Sequence, residues 1–236
     1  MKVQTFLVPT EATDATYKGK PAVVIDVLRA STSMVAAKAN GAEKIIPVAT
    51  IEAATRLAAT LDRESTLLCG EREGRRIDGF DLGNSPREFA AAKVTGKTII
   101  MTTTNGTEAI ARLEGAREIV VCGLVNAAAV ATYLRSEPEI VIVCSGRNGR
   151  FSLEDAVCAG ALIARLRDLG AAPALDDASA ACELLYSVHG ADLRGCLRSA
   201  VHGRYLADLG LGDDLDDCAA IDTQTCVPVV REGRIV

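Results

Sequence analysis

The chain has 236 residues, long enough for a substantial core and for one or two domains. Apolar residues make up 49%, yet only 3% are aromatic and Trp is absent, so Ala, Val, Leu and Ile must fill the interior. With 26 Lys and Arg against 31 Asp and Glu, the formal charge of -5 leaves no basic footprint for nucleic acid, and no apolar run is long enough to span a bilayer.

A first strand is predicted at Val3–Val8. This apolar patch is too short for a signal-peptide core and no small-residue cleavage site follows, so a cytoplasmic location is expected. Ala22–Val27 reads as the second strand, and Ser31–Ala39 as a helix closed by Asn40-Gly41. The strand delivers Asp26 and Arg29 to its carboxyl end, where the free N–H groups of the next helix can meet an anion. An acid and a base there suit a metal held beside a phosphate or carboxylate; the alternative is an internal Asp26–Arg29 ion pair.

Lys44–Val48 is predicted as a strand, Ile51–Leu61 as a helix and Thr66–Cys69 as a short strand. The stretch from Gly70 to Asn84 that follows is irregular and rich in charge and glycine, a composition more typical of function than of stability. Ser85-Pro86-Arg87-Glu88 ends it with an N-cap, a first-turn proline and a capping-box glutamate. Next come a strand at Lys97–Thr103, a helix opened by Thr104-Asn105-Gly106-Thr107 and running through Leu113, a strand at Glu118–Cys122 and a helix at Asn126–Arg135. Ile140–Cys144 leads into Ser145-Gly146-Arg147-Asn148-Gly149-Arg150, and Ser152 caps a helix reaching about Arg167. Asp176–Leu209 is helical with a break near His189-Gly190, Asp213–Asp217 reads as a solvated acidic turn, and a final strand lies near Val227–Val230.

The alternation implies an α/β fold: a mostly parallel or mixed sheet with helices on both faces, in one domain over 1–236 or as two α/β lobes. Asn40–Ile46 echoes Glu114–Val120 at a fixed displacement, and neighbouring elements fall into step; any regular alternation produces such echoes, so the match supports the alternation. None of the eight cysteines forms a C-x-x-C pair and only two histidines are present, so the thiols read as buried and free rather than as a zinc site.

Ligands of such sheets bind outside the carboxyl ends of the strands. Those ends carry the carboxylates Asp26, Glu71, Asp81, Glu154 and Asp155, the guanidinium groups of Arg29, Arg72 and Arg147, and the neutral donors Ser31, Asn84, Thr103, Thr104, Asn105, Gly106 and Ser145. Oxygen ligands without histidine favour Mg²⁺, and arginines with helix N-termini suit phosphoryl oxygens. The expected ligand is a small anionic phosphate ester, with a second anionic group to occupy the surplus arginines. Glu154 and Asp155 sit where capping alone favours carboxylates. His202 reads as a surface or helix-end residue, with a role as proton donor as the alternative. No G-x-G-x-x-G, Walker A or G-x-S-x-G pattern is present.

Asp26-Val27-Leu28-Arg29-Ala30-Ser31-Thr32, Gly70-Glu71-Arg72, Gly79-Phe80-Asp81-Leu82-Gly83-Asn84-Ser85-Pro86 and Thr102-Thr103-Thr104-Asn105-Gly106-Thr107 together resemble the 2-phosphosulfolactate phosphatase family, and Ser145-Gly146-Arg147 with Ser152-Leu153-Glu154-Asp155 fits it too. The resemblance implies a Mg²⁺-dependent hydrolysis of 2-phospho-3-sulfolactate to 3-sulfolactate and phosphate, on a route to coenzyme M. The catalytic group would be Asp26, Arg29 and Glu71, and the metal would be held by Asp26 with one or more of Glu71, Asp81, Glu154 and Asp155. Attack by Asp26 on phosphorus and attack by a metal-activated water both remain open. Two alternatives are a phosphatase for another phosphorylated hydroxy acid and a non-catalytic sulfonate- or phosphate-binding protein. A homodimer is the commonest assembly for such a chain.

Overall fold

The computed structural model describes residues 1–236. The first half contains β1 (Lys2–Phe6), α1 (Asp14–Tyr17), β2 (Pro21–Ile25), α2 (Ala30–Ala39), β3 (Lys44–Pro47), α3 (Ile51–Ala58), β4 (Thr66–Arg72) and β5 (Arg75–Arg76). Then come α4 (Ala91–Val94), β6 (Thr98–Thr102), α5 (Gly106–Arg112), β7 (Glu118–Cys122), α6 (Ala127–Leu134), β8 (Glu139–Cys144) and α7 (Leu153–Asp168). The C-terminal part adds β9 (Ala174–Leu175), α8 (Asp177–His189), α9 (Leu193–Ser199), α10 (Val201–Asp208), α11 (Asp213–Cys218), β10 (Val229–Arg231) and β11 (Arg234–Ile235).

All eleven strands join one sheet in the order β5-β4-β6-β3-β11-β10-β7-β2-β8-β1-β9. Strands β4, β6 and β3 are mutually parallel, and so are β7, β2, β8, β1 and β9. The hairpin β10–β11 separates these blocks, antiparallel to β7 on one side and to β3 on the other. Three successive antiparallel pairings make the two parallel blocks run in opposite senses. The predicted single strand near Val227–Val230 is thus one arm of a hairpin that stands in the middle of the sheet.

The order β4-β6-β3 mirrors β8-β2-β7 across that hairpin. Strand β3 starts at Lys44 and β7 at Glu118, 74 residues later, and displacements within three residues of that value carry β2-α2-β3-α3-β4 onto β6-α5-β7-α6-β8. Each unit contributes its first strand to the other's block: β2 lies between β7 and β8, and β6 between β3 and β4. The sequence echo therefore corresponds to a pseudo-two-fold repeat with exchanged strands.

Strand β2 is buried along its whole length, as an apolar run between two covered faces should be. Its alternate residues divide the core. Val23 and Ile25 face the largest apolar cluster, shared with α6 and α7, whereas Ala22 and Val24 join a second cluster with Met34 and Ala37 of α2 and Ala109 and Ile110 of α5. That second cluster also takes Ile45, Ile99 and Met101 from the opposite block, so α2 and α5 lie between the blocks. Their first turns touch: a Cβ on Gly106 would lie 2.6 Å from Ala30 Cβ. Twist accumulated across so wide a sheet lets the carboxyl ends of both blocks meet there.

Candidate active site

The meeting point is a cleft of about 330 Å³ whose walls include Asp26, Arg29, Glu71, Asn84, Thr104, Arg147, His202 and Tyr205. A larger groove, about 680 Å³, lies between α5 and the C-terminal hairpin, but four of its five charges (Glu114, Arg117, Arg231, Glu232) are exposed, the fifth, Glu118, is paired with Arg117, and it strands no buried polar atom.

Asp26 follows β2 and is 7% exposed. Its Oδ1 accepts the Ala30 N–H at 3.2 Å, the first turn of α2. Oδ2 lies against Gly106, where any Cβ would approach it to 2.7 Å, so only glycine leaves the carboxylate room. Burial pushes the Asp26 carboxyl up to about 6; His202 and the Ala30 N–H pull it down, and Glu71 and Glu154 push it up further. Glu154 is 2% exposed and accepts no hydrogen bond from the chain; its Oε1 lies 3.7 Å from His202 Nδ1.

Three buried side-chain oxygens have no hydrogen-bond partner anywhere in the chain: Asn84 Oδ1, Thr104 Oγ1 and Ser145 Oγ. Asn84 and Thr104 line the cleft, and Ser145 sits beside the end of β2, its N–H donating to Ile25 O at 2.7 Å. Folded proteins rarely leave such groups unpaired unless a ligand completes them. With Asp26 Oδ2 and Glu154 they form a set of oxygen donors open to a hard cation and an oxyanion.

Other expected site residues hold this frame together. Glu71 lines the cleft, but its Oε2 accepts the Gly74 N–H and its Oε1 the Thr104 N–H, both at 2.8 Å. Asp155 accepts the N–H of Val27 at 2.9 Å and of Gly146 at 3.1 Å, binding the loop after β2 to the loop after β8; burial, with Glu154 and Asp26 nearby, pushes its carboxyl well up. Ser31 Oγ accepts the Asp26 N–H, and Thr103 exchanges hydrogen bonds with Thr107 across the first turn of α5. Asn105 Oδ1 accepts the Asn148 N–H. Asp81 is not at the site: Arg63 and the Leu68 N–H occupy its carboxylate, and Arg63 holds it below the usual range against the opposing effect of burial. The fork expected from Arg72 is likewise tied, to Glu71 O and Thr102 Oγ1, and does not line the cleft.

Arg29 does not pair with Asp26. Its Nη1 donates to Asp214 Oδ2 at 2.6 Å and its Nη2 to Gly74 O at 2.8 Å, while Ser85 Oγ donates to Asp214 Oδ1 at 2.6 Å. The acidic segment expected as a solvated turn is helix α11, and Asp214 in it is 3% exposed. Asp213 and Asp217 pair with Arg87 at the surface. Helix α10 lies within the stretch expected to be helical, and it presents His202, for which a proton donor's role was the alternative reading, and Tyr205 one turn apart to the cleft. Tyr205 itself was not singled out; the available signal was its position three residues after His202 in a helical segment, which puts both on one face.

No three His, Cys, Asp or Glu side chains converge into a closed metal cage. Mg²⁺ commonly takes only one or two carboxylates and completes its shell with water and substrate phosphate. All eight cysteines are free thiols, seven of them buried. No helix is long and apolar enough to cross a membrane.

Comparison with known proteins places this geometry. Residues 6–233 match the family model described as 2-phosphosulpholactate phosphatase. A protein of Caldanaerobacter subterraneus subsp. tengcongensis named "Probable 2-phosphosulfolactate phosphatase" is 40% identical over 236 residues, covering 100% of this chain and 98% of that relative. Proteins of the same name from Thermotoga petrophila and Gloeobacter violaceus are 43% and 42% identical, over 92% and 97% of this chain and 92% and 94% of the relatives.

Proposed function

The chain belongs to the 2-phosphosulfolactate phosphatase family, and from that premise we propose that it is a cytoplasmic, Mg²⁺-dependent phosphoric monoester hydrolase. Its reaction converts 2-phospho-3-sulfolactate and water to 3-sulfolactate and phosphate, as a step in coenzyme M-type sulfonate biosynthesis. The observation that carries this reading is the coincidence of three stranded buried oxygens with two carboxylates, Asp26 and Glu154, that the chain leaves open.

Asp26 and Glu154 would hold the cation, which supplies charge neutralisation of the phosphoryl oxygens and activation of the attacking water. The unpaired hydroxyls of Thr104 and Ser145 would orient the phosphoryl group. Glu71 keeps the Thr104 turn and the Gly74 tip in place through its two backbone hydrogen bonds. His202 turns Nδ1 toward Glu154, which leaves Nε2 to hold a proton for the departing alkoxide.

The test is phosphate release from racemic 2-phosphosulfolactate, with and without Mg²⁺, beside 2-phospholactate. Mg²⁺-dependent release that strongly prefers the sulfonate is expected. Equal release from both would discard the named substrate, and no release despite tight 3-sulfolactate binding by calorimetry would make the chain a binding protein.

A further inference from the structure

Two of the three arginines that the sequence brings to the strand ends are fully engaged within the chain. Arg29 is neutralised by Asp214 and donates to Gly74 O, and Arg72 donates to Glu71 O and Thr102 Oγ1. Arg147 is different. It lines the cleft, is half-buried, and its guanidinium makes no hydrogen bond or ion pair with the rest of the protein. Its Cζ instead lies 4.7 Å from the centroid of the Tyr205 ring.

Both halves of that stack are fixed from behind. Arg147 and Arg150 exchange N–H···O bonds of 2.9 and 3.0 Å around Asn148-Gly149, whose positive φ values of 52° and 70° form a tight two-residue turn. The turn is anchored by the Gly146 N–H on Asp155 and the Asn148 N–H on Asn105. Gly146 allows the turn to close, since a Cβ there would lie 2.4 Å from Arg150 O. On the other side the Tyr205 hydroxyl donates to Glu73 O at 3.0 Å, tethering the ring to the loop that also carries Gly74. A guanidinium stacked on an aromatic face keeps its in-plane N–H groups free and loses little entropy when they bind an anion.

We propose that Arg147, seated on Tyr205, is the clamp for the anionic group of the substrate that is not transferred, its sulfonate or its carboxylate, and that Tyr205 is the positioning residue that aims it. This inference rests on the phosphatase reading and assigns the specificity of that site to one turn and one helix. The phosphoryl group is left to the cation and the Thr104 and Ser145 hydroxyls, so Arg147 discriminates among esters without touching the transferred group.

The experiment compares wild type, Arg147→Ala and Arg147→Lys in Mg²⁺ on 2-phosphosulfolactate, 2-phospholactate and isopropyl phosphate. Loss of one charge-assisted fork should lower kcat/KM by about 10- to 100-fold for a substrate whose anion it holds. Loss on 2-phosphosulfolactate alone assigns the sulfonate, and equal loss on 2-phosphosulfolactate and 2-phospholactate assigns the carboxylate. Isopropyl phosphate, which carries neither group, should be unaffected. Equal loss on all three, or none on any, overturns the proposal. Lysine should not rescue, because it has neither the fork nor the stacking plane. Tyr205→Ala should raise KM with kcat nearly unchanged, while Tyr205→Phe and Tyr205→Trp restore it; a fall in kcat that Tyr205→Phe does not restore would refute the positioning role. Calorimetry of 3-sulfolactate against lactate on wild type and Arg147→Ala reads the clamp without turnover. If wild type released no phosphate but Arg147→Ala still weakened 3-sulfolactate binding, the phosphatase reading would fail and the clamp would stand, on the sulfonate where lactate binding is unchanged and on the carboxylate where it weakens equally.

Discussion

Replacing Asp26 by Asn should stabilise the metal-free protein while abolishing its activity. Burial raises the Asp26 carboxyl from its ordinary 3.8 to about 6. At 1.36 kcal/mol per pH unit, this means that the charged form destabilises the folded state by about 3 kcal/mol. The penalty is fully present above pH 6, shrinks as pH falls from about 6 toward 4, where the folded state binds a proton that the unfolded state has lost, and vanishes below the ordinary carboxyl value, where both states hold it. Asp26→Asn removes the charge and keeps an oxygen for the Ala30 N–H. In chelator at pH 8 the variant should therefore melt higher than wild type by roughly 6–12 °C for a chain of this length, with the gap closing near pH 4. Adding Mg²⁺ at pH 8 should raise wild type and leave the variant unmoved, because only a carboxylate at this position contributes to the cation site. Thermal unfolding by circular dichroism across pH 4–8, with and without Mg²⁺, measures both. Parallel melting curves for the two proteins across that range would show that Asp26 carries no uncompensated charge, and the metal assignment would lose its physical basis.

Other expectations concern the groups behind the cleft. Asp214→Ala leaves the Arg29 guanidinium, 3% exposed, without its counter-charge and strands the Ser85 hydroxyl, so urea unfolding should show a loss of about 3–5 kcal/mol; a loss under about 1 kcal/mol would mean that water or another group solvates Arg29. His202→Gln should lower kcat on 2-phosphosulfolactate by about 10²-fold or more and spare phenyl phosphate, whose leaving group needs no proton, whereas equal loss on both esters would reduce His202 to a wall residue.

The strand ends that carry the site were legible in the sequence because each is local. An apolar run such as Val23–Ile25 followed by Asp26 announces both its burial and its terminus. The relation between those ends was not. Strand–helix alternation reads the same whether consecutive strands join one block or cross to an opposed one, and here α2 and α5 both cross. The repeat at a displacement of 74 residues was visible, but only the mirrored strand order shows that it is a two-fold exchange. Arg29 and Asp214 are 185 residues apart, and nothing near either residue announces the pair. Tyr205 was missed for a related reason, since it acquires meaning only where its helix meets the Glu73 and Arg147 turns.

Charge balance links these findings to the order of events at the site. Four carboxylates, Asp26, Glu71, Glu73 and Glu154, surround the cleft, and once Asp214 has neutralised Arg29 only Arg147 stands against them as an uncommitted guanidinium. An ester with about four negative charges (a phosphate dianion, a carboxylate and a sulfonate), entering that field unaided, would meet like charge at short range in a partly desolvated cleft, where repulsion is poorly screened. The backbone N–H groups already spent on Glu71 and Asp155 cannot help it. A divalent cation held by Asp26 and Glu154 would cancel their two charges and offer its open coordination positions to the phosphoryl oxygens, while Arg147 stands at the other end of the cleft. The phosphoryl end and the remote anion would then be drawn to different places, which would fix the orientation of a small, flexible molecule before any bond breaks.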